Sequence, residues 1–217
     1  MLGKIFICHY KPLSERKHIL SEQLNKLGLE AQWVEIYDKE EIDINKLKTE
    51  LPNMVKPLNI IGHQNRTLRM SEISLILKHN HIWEKMINDN IDNVLVLEDD
   101  ALFSENFVEE LNSYTKELPN DYDLLWVGSC CGLHAPNITI DKHIYQIEGS
   151  RCTHAYLISL KCAKYMVEYL KENNSPCDFM FNEAIKKFSL KNYWLEPDLI
   201  SQNNSFDTTI QNDKNFI

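Results

Sequence analysis

The stretch 93-NVLVLEDDALF-103 constrains the fold of this chain more strongly than any other. The consecutive apolar residues at 94–97 are typical of a strand that is buried on both faces, as in a parallel sheet. Three carboxylates follow directly, at Glu98, Asp99 and Asp100. Clustered carboxylates repel one another and resist desolvation, so their cost must be compensated. A divalent cation is the simplest source of that compensation.

The segments before this stretch alternate between strand and helix patterns. Residues 4–8 predict a strand, and Ser14 is a suitable N-cap for a helix with leucines at helical spacing. Gly28 stands where the C-cap of that helix is expected, and residues 30–37 predict the next strand. A strand–helix–strand unit of this kind favours a parallel sheet.

The rest of the chain continues the alternation. Residues 38–69 predict a long polar loop that contains a short helix, and Ser71 and Ser104 are each predicted to cap a helix. Strands are predicted at 123–128, 156–159 and 193–195, a loop with an edge strand at 130–150, and helices around 163–170 and 181–188. We therefore expect an α/β fold, a mostly parallel sheet flanked by helices, as a single domain over residues 1–217.

Composition argues against several functional classes. The chain has 217 residues, with 23 basic against 32 acidic side chains and a net charge of −9, and no basic patch that would indicate nucleic-acid binding. It has no apolar run long enough for a transmembrane segment, and its N-terminus lacks a signal-peptide pattern. The six cysteines include no CxxC pair, so we expect all of them to be reduced, no zinc site among them and a cytoplasmic location.

The carboxylate triplet points to metal chemistry. Ligands of open α/β sheets bind beyond the carboxyl ends of the strands, and alternation directs Glu98 and Asp100 to one side and Asp99 to the other. Asp100 would hold a Mn²⁺ or Mg²⁺ ion, with Glu98 behind it or acting through water. The alternative is a solvated acidic turn, but the apolar residues on both sides of the triplet favour the metal site. The triplet does not resemble the pair of facing carboxylates of a glycosidase. The sequence also contains no GxGxxG motif for dinucleotide binding, no P-loop motif and no GxSxG nucleophile elbow.

Several motifs in order along the chain resemble those of glycosyltransferase family 25, which has the GT-A fold. The triplet is similar to the DxD-type motif of nucleotide-sugar glycosyltransferases, and Arg16 to the arginine of the family's opening helix. The other resembling segments are Ile36-Tyr37-Asp38, 71-SEISLILKHNHIW-83, 153-THAYLISLKCAKYM-166 and 196-EPDLISQNNSFDTTI-210. The chain departs from the family pattern at Ser71, Leu75 and Lys78, which puts the acceptor side in more doubt than the metal side.

The resemblance implies roles for residues near the triplet. Asp100 would contact the metal, Glu98 would do so through water, and Asp99 would contact the ribose. Arg16 would lie near the nucleotide, and its alternative is a solvated arginine on the first helix. The terminal element would close over the diphosphate through Gln202, Ser205 and Asp207, while its alternative is an ordinary polar tail.

Two residues on the helix after Ser71 are candidates for the sugar or acceptor pocket. Glu72 and His79 are two helical turns apart and therefore share a face. The alternative for Glu72 is a helix-cap carboxylate, and for His79 a buried, hydrogen-bonded histidine. His154 could approach the metal, but we assign it no role.

An inverting transferase needs a base for the proton of the acceptor hydroxyl. Asp178 is the candidate, Glu183 is a weaker one, and the alternative for Asp178 is an N-cap of the following helix. We therefore expect a metal-dependent transfer of galactose, or next glucose, from a UDP-hexose to a glycan or a collagen-like acceptor. The alternatives are an inactive relative that binds a sugar or a protein, and a metal-dependent nucleotidyltransferase.

Overall fold

The structure is a computed structural model that describes residues 3–58, 60, 66–206, 210 and 212–217. The helices are α1 (Ser14–Leu27), α2 (Ile44–Glu50), α3 (Met70–Asn88), α4 (Phe107–Tyr114), α5 (Leu160–Leu170) and α6 (Cys177–Phe188). The strands are β1 (Lys4–Cys8), β2 (Ala31–Val34), β3 (Asn93–Glu98), β4 (Ala101–Phe103), β5 (Leu124–Trp126), β6 (Ile144–Gln146), β7 (Ala155–Ser159), β8 (Asn192–Leu195) and β9 (Ile200–Gln202).

A seven-stranded sheet forms the centre of the fold, in the order β2-β1-β3-β7-β5-β8-β6. Strands β2, β1, β3, β5 and β8 run in one direction, and β7 and β6 run in the other. The mostly parallel sheet flanked by helices was predicted and is confirmed. Strand β3 lies inside the sheet between β1 and β7, and its four central residues are fully buried.

Alternate residues of the strands pack on opposite faces. Val94 and Val96 of β3 face the core formed with α3, α5 and α6. Leu95 and Leu97 face the second core, which contains residues of α1 and α4. This two-faced burial explains why β3 is apolar at every central position, since neither face meets water.

Helix α1 begins and ends close to the predicted positions. Gly28 adopts a left-handed conformation with φ of 65°, and its N–H donates to the last carbonyls of the helix. The expected N-cap at Ser14 is wrong, because the helix already includes Ser14 and Leu13 is the N-cap. The expected caps at Ser71 and Ser104 are also wrong, since α3 begins at Met70 and α4 at Phe107.

A small second sheet lies beyond the end of β3. Strand β4 follows the acidic turn and pairs antiparallel with β9, with Ala101 opposite Gln202. The N–H of Asn203 donates to the carbonyl of Asp100, which ties the end of β9 to the turn. The carboxylates are therefore enclosed between two sheets. No helix within the described ranges is long and apolar enough to span a membrane.

Candidate active site

A cleft of about 700 Å³ opens at the carboxyl ends of β1 and β3. Its walls come from the ends of these strands, the first turns of α3 and α6, and the residues after β9. Seven of the sequence-predicted site residues line it: Arg16, Glu72, Glu98, Asp99, Asp100, Asp178 and Gln202. The fold therefore brings together residues that are up to 186 positions apart, since 202 minus 16 is 186.

Asp99 is held by the elements on the α1 side of the sheet. Its Oδ1 accepts a 2.9 Å hydrogen bond from Arg16, and its Oδ2 accepts one of 2.8 Å from Nδ1 of His9. The backbone N–H of Tyr10 also donates to Oδ2. Both oxygens thus have partners within the protein, and the guanidinium of Arg16 additionally lies 3.9 Å from Asp100. The ribose contact predicted for Asp99 stays a prediction.

Glu98 points to the other side, towards α3, as strand alternation predicts. Its Oε1 accepts a 2.6 Å hydrogen bond from the Thr153 hydroxyl and lies 3.7 Å from Nε2 of His79. Burial raises the pKa of Glu98, but His79 and Thr153 outweigh it, so that the pKa falls below its usual range. Glu98 is therefore ionised in an almost dry position.

His79 lies behind this carboxylate and does not line the cleft. It is completely buried, and its Nδ1 is 2.8 Å from the hydroxyl of Tyr156. Burial lowers the pKa of His79, yet the neighbouring Cys8 and Glu98 raise it well above its usual value. The structure gives His79 the buried, hydrogen-bonded position that the sequence left as its alternative, and adds an ion pair with Glu98.

Asp100 lies in the turn after β3, because the strand ends at Glu98 and its alternation no longer applies. Burial and the charges of Glu98 and Asp99 raise the pKa of Asp100 to about 7. Within the part of the chain that the structure describes, the buried Oδ1 of Asp100 has no hydrogen-bond partner. Its Oδ2 is 3.5 Å from Nε2 of Gln202.

His154 also has an unpartnered buried atom in the cleft, as do His9 and Arg69. Its Nε2 lies 3.3 Å from the carbonyl oxygen of Ile200, so this nitrogen carries the proton and donates it. Its Nδ1 then presents a lone pair, and no described residue donates a hydrogen bond to it. Histidines that bind metals usually donate their other ring N–H to a carbonyl or carboxylate in this manner.

Asp178 reaches the cleft from the first turn of α6. Asp178 is exposed to solvent, but partial desolvation by the surrounding protein and the charge of Glu98 raise its pKa to about 6, and hydrogen bonding with Thr153 partly offsets the increase. The alternative of an N-cap is wrong, because Pro176 is the N-cap of α6. The weaker candidate Glu183 is bound to the hydroxyls of Tyr169 and Ser175 and does not line the cleft.

Glu72 closes the N-terminus of α3. It accepts a 2.7 Å hydrogen bond from the backbone N–H of Arg69 and two side-chain hydrogen bonds from Arg66, at 2.7 and 2.8 Å. It therefore makes the helix-capping contact that the sequence left as its alternative, at one wall of the cleft. Its predicted contact with a sugar or acceptor stays a prediction.

The residues after β9 have different positions. Gln202 lines the cleft beside Asp100, whereas Ser205 is exposed in a turn and donates to the side chain of Asn203. Phe206 lies beneath the guanidinium of Arg16, 5.0 Å from it. Asp207 lies outside the described residues.

The expectation that all six cysteines are reduced is wrong. Cys130 and Cys152 form a disulfide at the edge of the cleft, with their Cα atoms 6.3 Å apart. The sequence could not indicate this pairing, since the two residues are 22 positions apart and only the fold brings them together. Cys8, Cys131, Cys162 and Cys177 are free thiols.

Sequence reasoning also missed Thr153 and His9. Both lack a distinctive pattern of neighbours, and each acquires its role only by contact with a carboxylate from another strand. Thr153 is the first residue of the resembling segment 153–166, so its position in a motif was the one available signal.

The sequence is similar to those of known proteins. The family model of "Glycosyltransferase family 25 (LPS biosynthesis protein)" matches residues 3–139. A "Glycosyltransferase 25 family member" of Aedes aegypti is 27% identical over 175 residues, which are 77% of this chain and 28% of that protein. "Procollagen galactosyltransferase 2" of Mus musculus is 25% identical over 174 residues, 76% of this chain and 27% of that protein.

Two further similarities bear on fold and activity. A "Probable inactive glycosyltransferase 25 family member 3" of Rattus norvegicus is 24% identical over 132 residues, 58% of this chain and 22% of that protein. The crystal structure of a glycosyltransferase involved in the glycosylation of the major capsid of PBCV-1 has the same fold, with a TM-score of 0.51, 10% identity and 95% coverage of both chains.

The family match extends over more than half of the chain, and it includes β1, α1, α3 and the acidic turn. The chain spans about a quarter of the length of the curated relatives that it matches. The chain belongs to glycosyltransferase family 25.

Proposed function

We propose that this chain is a metal-dependent, inverting glycosyltransferase that moves a hexose from a UDP-sugar to an acceptor hydroxyl. Galactose is the first candidate sugar and glucose the second. Family membership supports the reaction class, and the name of the mouse relative, procollagen galactosyltransferase 2, supports galactose. The observation that carries the metal dependence is that two of the unpartnered buried atoms in the cleft, Oδ1 of Asp100 and Nδ1 of His154, are suited to bind a cation.

These residues fit a hard divalent cation such as Mn²⁺ or Mg²⁺. Asp100 and His154 would hold it, with Glu98 behind them through water. Burial, and then the charges of Glu98 and Asp99, raise the pKa of Asp100, and a bound cation would counter both effects by stabilising the ionised carboxylate. When bound, such a metal stabilises the negative charge that develops on a diphosphate leaving group.

Asp178 is the proposed base. Its pKa of about 6 leaves it ionised at neutral pH but more basic than an ordinary aspartate, which suits a group that accepts a proton from a hydroxyl. The Thr153 contact and its place in the first turn of α6 restrict its position. Inversion requires the acceptor oxygen to attack from the face opposite the departing UDP, with Asp178 on the acceptor's side.

Arg16 is proposed to interact with the nucleotide part of the donor. It is almost buried, is fixed by Asp99, and lies near Asp100. A positive charge held in this position would interact with the diphosphate of the donor at little entropic cost. Asp99 then serves to orient Arg16, in addition to the ribose contact predicted for it.

The acceptor is proposed to be a glycan or a collagen-like chain. Support for the collagen alternative comes from similarity to procollagen galactosyltransferase 2 of Mus musculus. The cytoplasmic location stays a prediction, and the disulfide removes one of its two grounds, since disulfides persist mainly in oxidising compartments.

The test is UDP release from a panel of UDP-sugars with Mn²⁺ and no acceptor, because transferases slowly hydrolyse their donors. We expect release with UDP-galactose or UDP-glucose, which chelation of the metal abolishes. Asp100→Ala should abolish it too, whereas Asp141→Ala, an exposed residue in a turn away from the cleft lining, should not.

The other outcomes separate the alternatives. Calorimetric binding of a UDP-sugar without release, even with candidate acceptors, would favour an inactive relative of the kind named in Rattus norvegicus. Release of pyrophosphate from a nucleoside triphosphate would favour a nucleotidyltransferase. If the chain neither binds a UDP-sugar nor releases UDP from one, the proposal is contradicted.

A further inference from the structure

Three cysteine sulfurs meet at the edge of the cleft. The Sγ atoms of Cys130, Cys131 and Cys152 all lie within 4.8 Å of one another. Two of them form the disulfide, and the third, Cys131, is an exposed free thiol. A structural disulfide needs no third sulfur beside it, and the proposed transferase reaction uses none of the three.

Two of these cysteines have an unfavourable backbone conformation. Cys131 and Cys152 both adopt left-handed conformations, with φ of 58° and 69°, which non-glycine residues seldom take. Such strain persists only where the surrounding structure imposes it.

Contacts other than the disulfide also hold the two cysteine-bearing segments together. The buried guanidinium of Arg151 donates to the carbonyl of Leu133 from two nitrogens, at 2.9 and 2.6 Å. It also pairs with Glu196 at 2.7 Å, and Glu196 accepts a hydrogen bond from the N–H of Ala135. These contacts connect the loop after Cys131 to the residue before Cys152, so we expect the three side chains to stay close after reduction.

We propose that the reduced chain binds one Zn²⁺ ion through the thiolates of Cys130, Cys131 and Cys152. Tetrahedral zinc with Zn–S distances of about 2.3 Å places its sulfurs roughly 3.8 Å apart. The observed limit of 4.8 Å is compatible with this spacing once the disulfide opens. The fourth position faces the cleft, where water can occupy it.

Formation of the site follows a balanced sequence. A dithiol or glutathione-class reductant transfers two electrons and two protons to the disulfide, which yields the Cys130 and Cys152 thiols and leaves the reductant oxidised. Zinc binding then displaces one proton from each of the three thiols, since thiolates are the ligands.

This site differs in chemistry from the one proposed at Asp100. Thiolates select soft and borderline metals, whereas carboxylate oxygens suit Mn²⁺ and Mg²⁺. The zinc site does not rest on the proposed transferase function, and its test needs no sugar donor.

The experiment compares oxidised and reduced protein in a zinc titration against a chromophoric chelator. Thiol counting under denaturing conditions first verifies the two forms, with four free thiols in the oxidised chain and six of six cysteines free in the reduced chain. We expect the reduced form to bind one more equivalent of zinc than the oxidised form, and that additional ion to lie at the sulfurs. Cobalt in place of zinc should give thiolate-to-metal charge-transfer absorption.

The variants locate the site. Cys131→Ser removes a ligand but leaves the disulfide pair intact, and it should weaken zinc affinity by more than about 100-fold. Cys162→Ala, at a buried free thiol, and Asp100→Asn, at the oxygen site, should leave zinc affinity unchanged. Failure of the disulfide to reduce in the folded chain, zinc affinity equal in wild type and Cys131→Ser, or loss of affinity in Asp100→Asn would each overturn the proposal.

Discussion

The hydroxyl of Thr153 donates a 2.6 Å hydrogen bond to Oε1 of Glu98. The same residue also lies close enough to the carboxyl of Asp178 to lower its pKa. Thr153 therefore links the acidic end of β3 to the first turn of α6, and it fixes the distance between the candidate metal side and the candidate base. Cys152, the residue before Thr153, forms the disulfide with Cys130, and this bond also restricts the position of Thr153.

Loss of this link should lower turnover more than donor binding. We expect Thr153→Val to reduce kcat by about 10- to 100-fold, the equivalent of one hydrogen bond to a charged group. KM should change little, since Thr153 is not proposed to bind the donor. Thr153→Ser keeps the hydroxyl and is the matched control, and an equally damaged serine variant would contradict a role for the hydrogen bond.

The pH dependence of the reaction should report the ionisation of Asp178. Because its pKa is about 6, the rate of transfer should fall as the pH decreases through that value, when the base becomes protonated. Asp178→Asn should lower kcat by about 10²- to 10⁴-fold and leave no acidic limb in the profile. A profile that is the same in the variant would assign the limb to another group.

Binding of Mn²⁺ should need His154 as well as Asp100. We expect His154→Ala to weaken the affinity measured by isothermal titration calorimetry at least about tenfold, because a ring nitrogen already oriented by the Ile200 carbonyl is lost. His18→Ala, at an exposed position on α1, is the control. If the affinity for Mn²⁺ is the same in His154→Ala as in the wild type, Nδ1 of His154 does not bind the metal.

Asp100 should destabilise the metal-free chain at neutral pH. Its pKa in the folded state, about 7, exceeds the ordinary value of 3.8, so the folded chain binds a proton more readily than the unfolded chain. Stability from this group is therefore present at low pH and is lost as the pH rises between these two values. Asp100→Asn should raise the melting temperature at pH 8 and change it little at pH 4. Added Mn²⁺ should stabilise the wild type only.

The buried pair of His79 and Glu98 should matter for stability. His79→Leu leaves Glu98 without its cationic partner in a nearly dry site, which should cost about 3 kcal/mol in the free energy of unfolding. The double variant His79→Leu/Glu98→Gln should recover part of that loss, because the unpaired charge is removed. Urea unfolding of the wild type, His79→Leu, the single variant Glu98→Gln and the double variant measures the coupling, and additive losses would contradict the pairing.

Local features of the sequence predicted much of the fold. Strand β1 and helix α1 were predicted at their observed positions, because apolar spacing and Gly28 act within a few residues. Strand β9 was missed, since its three residues form a strand only by pairing with β4, about a hundred positions earlier. The second predicted strand, 30–37, is shorter in the structure, where β2 covers Ala31–Val34.

By itself the sequence determined that β3 is a buried strand ending in carboxylates, because an unbroken apolar run followed by charged residues indicates this without knowledge of the rest of the fold. It did not determine what each carboxylate contacts. Tertiary structure decided that Glu98 meets His79 and Thr153, and that Asp100 has a raised pKa. Tertiary structure also decided that Cys152 reaches Cys130 and Cys131. Hydrogen bonds and charge interactions depend on distances of a few ångströms, and only the packing of distant segments sets those distances.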